Sequence, residues 1–64
     1  MWTSIENLLP PEEMVVETKI SDEKGDRNFS DLVLYMGRFF FPDMSMYVYY
    51  TPTHWREKST NIWN

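Results

Sequence analysis

Phe29-Ser30-Asp31-Leu32-Val33-Leu34-Tyr35-Met36-Gly37-Arg38-Phe39-Phe40-Phe41 is the stretch that decides the fold. In an extended chain Leu32, Leu34 and Met36 share one side, and Val33 and Tyr35 share the other. Branched and aromatic side chains suit such a pleated surface. Met36-Gly37 reads as a tight turn, because glycine takes a positive φ without steric cost. Arg38–Phe41 is then a returning strand, stopped by Pro42-Asp43. Three consecutive phenylalanines place rings on both faces of that strand. One face suits a core. The other has to meet the chain's own ends, a second subunit or a target.

Upstream, Met14–Ile20 reads as a further strand, with Met14, Val16, Thr18 and Ile20 opposing Glu17 and Lys19. Residues 21–28 hold no apolar side chain and carry Gly25, which predicts a solvated connection. The acidic residues there lack the ordered ligands and closing glutamate of a calcium loop, so no metal is expected. Downstream, Met46–Tyr50 reads as a fourth strand, with Met46, Val48 and Tyr50 opposing Tyr47 and Tyr49. Neither of its faces is polar, and a sheet apolar on both sides has both sides covered. The expected fold is mostly β, either all-β or α+β. It is a small antiparallel sheet of three to four strands over 14–50, with irregular arms at 1–13 and 51–64, in one domain spanning 1–64.

The arms carry the tryptophans. Trp2, Ile5, Leu8 and Leu9 have helical spacing, and Ser4 suits the cap of a short turn. Pro10-Pro11 ends any helix there. At the other end Pro52 holds Thr51 extended, and Thr53 suits the cap of a turn over His54-Trp55-Arg56. The polar tail beyond is expected to move unless Trp63 docks. Trp2, Pro52, His54 and Trp55 are read as a structural motif that closes the arms over the sheet.

A 64-residue chain buries only about 60% of its unfolded surface. With no cysteine it has neither disulfides nor thiolate zinc ligands. Three Trp, four Tyr and four Phe are a heavy aromatic load, and a homodimer is the expected way to shelter it. The net charge of −4 and the scattered basic residues disfavour direct nucleic-acid binding. No apolar run approaches 18 residues and no basic-then-apolar leader is present, so no membrane association and a cytoplasmic location are expected.

Catalysis needs a nucleophile, a base and a charge stabiliser together. Ser4, Ser30 and Ser45 have no glycine-flanked elbow, and His54 is the only base of the usual type. A lone histidine between threonine and tryptophan reads as a packed residue bonded to backbone. It has no i, i+4 partner for a metal, and no glycine-rich loop is present to hold a phosphate cofactor. The chain therefore reads as a binding protein, not an enzyme. Tyr35, Arg38, Phe40, Tyr47 and Tyr49 are the candidate contact residues, since tyrosine and arginine dominate interface energetics.

Trp2, Ser4 and Leu9-Pro10 at the start, Gly37 before Phe39, and Pro52-Thr53-His54-Trp55-Arg56 near the end resemble the phage and prophage proteins of domain-of-unknown-function family 551. The likeness spans about residues 2 to 56. It departs at Glu57-Lys58-Ser59, where that family continues into a proline-rich end. The resemblance carries no activity. It implies a phage origin, and with it an accessory protein in the bacterial cytoplasm that binds and inhibits a host protein, foremost in an anti-phage defence system of the CRISPR type. Three other readings stay open. One is a dimeric sponge for a small nucleotide, with Arg38 or Arg56 on its phosphate. Another is an acidic DNA mimic, for which ten acidic against six basic residues is a modest excess. The third is a purely structural oligomer.

Overall fold

Tyr35 pairs with Arg38 across Met36 and Gly37, whose φ angles are 54° and 82°. Positive φ at both central residues is the backbone of a type I′ hairpin, so the central turn forms where glycine predicts it. The computed structural model describes residues 1–58; Trp63 and its expected docking lie outside them. Five strands make one antiparallel sheet: β1 (Thr3–Ser4), β2 (Val15–Asp22), β3 (Gly25–Tyr35), β4 (Arg38–Phe40) and β5 (His54–Glu57). Their order across the sheet is β1-β5-β2-β3-β4, and the described residues contain no helix. The mostly β, antiparallel architecture expected from the alternation is the one observed.

Three segments differ in detail from expectation. Residues 21–28 are not a solvated loop. β2 and β3 run on into them, and Asp22 pairs with Gly25 across a turn of only Glu23 and Lys24. Opposite charges hold this outer hairpin: Arg27 reaches Asp22 at 2.9 and 3.0 Å, and Lys19 reaches Asp26 at 2.9 Å. Asp22 Oδ1 also accepts the Lys24 N–H at 2.9 Å, and Gly25 supplies the positive φ of 107°. Between Thr18 and Ile20 the register slips, and Asn28 sits opposite with φ 58°. This is a β-bulge on β3, built on a residue that tolerates the left-handed region.

The second correction concerns His54-Trp55-Arg56. Thr53 caps no turn; these residues enter the sheet as β5, between β1 and β2. Thr53 instead ties three segments together. Its N–H donates to Lys19 O at 3.0 Å, its carbonyl accepts the Ile5 N–H at 2.9 Å, and its Oγ1 accepts the Ser21 N–H at 2.7 Å. The sheet therefore extends beyond 14–50 into both ends. At the N-terminus Ser4 does carry a single turn: Glu6 N–H donates to Ser4 Oγ at 3.2 Å, and Asn7 and Leu8 donate to Ser4 O at 3.0 and 3.1 Å.

The third correction is Met46–Tyr50, which is not a full strand. Only the Phe40–Tyr47 pair bridges to β4. The chain bends at Tyr49 and Tyr50 because β5 lies on the far side of the sheet, so residues 49–53 must cross over it.

That crossing makes one face closed. Val16 opposes Leu32, Leu34 opposes Phe39, and Thr18 opposes Trp55, so all six share it. Ile5 from the N-terminal arm and Val48 from the segment after β4 pack against Leu32, Leu34 and Phe39. The Trp55 Nε1–H donates to Leu8 O at 2.8 Å, and Pro10 and Pro52 are buried. Trp2 precedes Thr3, which opposes Trp55, so its ring belongs to the other face. The N-terminal arm thus reaches both faces, with Ile5 and Leu8 on the closed one and Trp2 on the other.

Candidate functional site

Among the described residues no segment crosses the opposite face at the β3–β4 end. Val15 opposes Val33, Val33 opposes Phe40, and Phe40 opposes Tyr47, which sets these side chains in one row. Tyr35 stands edge-on to Phe40 with ring centroids 6.1 Å apart, and Phe40 edge-on to Tyr47 at 6.0 Å. The Arg38 guanidinium lies 4.5 Å from the Tyr47 ring centroid. Such edge-to-face and cation–π contacts preorganise the rings. Among the described residues Arg38 makes no ion pair, whereas Arg27, Arg56, Lys19 and Lys58 each do. Its charge is held in place by a ring and left unneutralised. Beside the ladder, a shallow depression of about 340 Å³ is lined by Glu13, Val15, Val33, Tyr35, Pro42 and Met44.

Four of the five expected contact residues, Tyr35, Arg38, Phe40 and Tyr47, therefore come together. Tyr49 lines a broad depression of about 960 Å³ with Phe40 and Tyr47, but its ring stacks on neither of them. The bend after Val48 breaks the alternation that linked it to Tyr47, and it stands 93% exposed against Tyr50 at 5.5 Å between centroids. Val15 and Met44 complete the patch and were not among the expected residues. Val15 was legible by parity, since it opposes Val33. Met44 arrives only through the turn after Pro42, where it has φ 62° and donates its N–H to Phe41 O at 2.8 Å.

The far end of the same face is polar and internally paired. Trp2 lies edge-on to Phe29 at 6.3 Å, with Lys19 and Arg56 over its ring at 4.5 and 4.3 Å. Arg56 bonds Glu17 at 2.6 Å, and Lys58 bonds Asp31 at 2.5 Å. The lysine raises no open charge there: Asp31 in turn pushes the Lys58 ammonium pKa above its ordinary value, chiefly through that hydrogen bond. Arg38 and Arg56 sit on β4 and β5, with β2 and β3 between them, so the two do not converge within one subunit.

His54, half-buried on β5, contacts the Thr53 hydroxyl through Nδ1 at 2.8 Å. That hydroxyl already accepts the Ser21 N–H, so it serves as a backbone bracket. Pro52 is fully buried within the crossing segment. No group of three or more His, Asp or Glu among the described residues is placed to hold a metal ion, and no described helix is long and apolar enough to cross a membrane. Set beside known proteins, the chain matches no family model, and no curated protein or solved structure shows significant similarity to it.

Proposed function

We propose that this chain is a non-enzymatic binding protein that inhibits a host protein through the Tyr35–Phe40–Tyr47 ladder and Arg38. One observation carries the reading: aromatic rings and an unneutralised guanidinium, locked by mutual contact, stand on a sheet face that the described residues leave uncovered. Fixed rings lose little conformational entropy on binding, which is why Tyr and Arg anchor interfaces. An arginine stacked on a ring keeps its hydrogen-bond donors free for a carboxylate on the partner. The motifs at Trp2 to Pro10 and Pro52 to Arg56, which resemble family 551, supply the phage origin, the bacterial cytoplasm as location and a defence protein as the class of target. That part of the proposal rests on those motifs alone.

The test is capture of a target by immobilised protein from bacterial lysate, run beside Arg38→Ala/Tyr47→Ala. Both side chains are exposed, so the double variant should unfold as cooperatively as the wild type. Loss of the captured protein with the folded variant is the expected result. Undiminished capture would reject the ladder as the contact surface, and no specific capture by the wild type would reject the function.

A further inference from the structure

We infer that two copies of this chain associate edge to edge at Met46–Val48, about a two-fold axis through Tyr47. The backbone bonds already made fix which groups are left over. Phe41 N–H donates to Met46 O at 3.0 Å, and Val48 N–H donates to Phe39 O at 2.9 Å. These bonds flank the Phe40–Tyr47 pair, so Tyr47 turns its own N–H and C=O away from β4. Neither group has a backbone partner among the described residues. An open edge of this kind is a template for another strand, and chains normally blunt it with charge, proline or a bulge.

The other open edges are blunted: β1, at the far side of the sheet, is only two residues long, and the free part of β3 carries charge and a bulge. β4 covers only Val33–Tyr35 of β3, and the uncovered part carries Asp26, Arg27 and Asp31 together with the Asn28 bulge. From Met44 to Thr51 there is no charge and no proline.

A second copy is the occupant this edge selects. Any charge near a two-fold axis meets its own like, and residues 44–51 bring none of their own; the nearest is Arg38, which lies to one side over the Tyr47 ring at 4.5 Å. Antiparallel pairing about Tyr47 sets Met46 against Val48 of the second copy, apolar against apolar. Phe41, Met46 and Tyr49, outside the ladder patch, are 39%, 59% and 93% exposed. Together they leave on the order of 400 Å² open, about half of what a standard interface takes from each partner. Directly opposed residues share a face, so pairing at Tyr47 joins the two aromatic ladders into one surface. The pairing does not depend on what that surface binds.

The test uses total synthesis of the chain with N-methyl-Tyr47. This keeps the ring and both internal hydrogen bonds and removes only the outward donor. Sedimentation velocity should show the wild type at twice its 7.8 kDa mass. The N-methyl chain should self-associate about tenfold more weakly, having lost two symmetry-related hydrogen bonds. Met46→Lys, which adds the blunting charge that the edge lacks, should weaken association at least as much. Circular dichroism confirms that each variant is folded, and Met46→Lys decides if the N-methyl chain is not. A wild type that stays at monomer mass at every concentration overturns the inference. So does a dimer whose dissociation constant a folded variant leaves unchanged.

Discussion

Replacing Trp55 by phenylalanine asks whether the N-terminal arm is held to the sheet by the bond described above. Trp55 is 7% exposed, and its indole N–H donates to Leu8 O at 2.8 Å. Phenylalanine keeps an aromatic ring on the closed face but has no donor. The lost hydrogen bond costs about 0.5–1.5 kcal/mol. The smaller ring gives up roughly 40 Å² of buried surface, a further loss of about 1 kcal/mol. The sum, about 1.5–2.5 kcal/mol, is a large share of the roughly 3–10 kcal/mol expected of so short a chain. Urea unfolding followed by far-ultraviolet circular dichroism measures it, with amide exchange at Asn7 and Leu8 as the local readout. Those two amides close the turn on Ser4, so they should exchange faster in the variant. A destabilisation below about 0.5 kcal/mol, the level of an ordinary surface change, would refute the role given to Trp55.

Met36 is 74% exposed and holds φ 54°, where a side chain is strained. Met36→Asn, the residue a type I′ turn prefers before glycine, should stabilise the chain by about 0.5–1 kcal/mol in the same urea assay. Acid should weaken the outer hairpin. The hydrogen bond from Arg27 holds Asp22 below its ordinary value of 3.8, and that from Lys19, then Ser21, holds Asp26 below 3.8. Both carboxylates bind protons less readily in the folded chain, so their contribution is whole above that value and is lost as pH falls through the depressed folded values. Asp22→Asn/Asp26→Asn should therefore show a flatter loss of stability in that acid window than the wild type. Removing Arg38 and Tyr47 together should change unfolding stability by less than about 1 kcal/mol, since neither belongs to the closed face. A collapse of folding would make the ladder part of the core.

Much of this arrangement is legible in the residues. Period-two alternation locates Val16 and Thr18 on one buried face, with Leu32 and Leu34 opposite, and Gly37 locates the turn. The outer hairpin escapes because its support runs across strands. Lys19 with Asp26, and Arg27 with Asp22, look like a solvated charge run until the register brings them together. β5 is four residues long and follows a proline, too short for a periodic signal, and its place is set by its neighbours β1 and β2. Met46–Tyr50 misleads in the opposite sense. Its alternation is strong, but the chain has to leave the sheet to reach β5. The same bend explains why Tyr47 joins the ladder and Tyr49 does not.

Hydroxyl-radical footprinting of the isolated chain and of its captured complex tests the central claim most directly, namely that the ladder face is open in the chain and closed by its target. Tyr35, Phe40 and Tyr47 should be labelled in the isolated chain, Leu32 and Phe39 should not, and target binding should protect the first three. Labelling of those three that is already absent in the isolated chain, or that persists unchanged in the complex, would contradict the account.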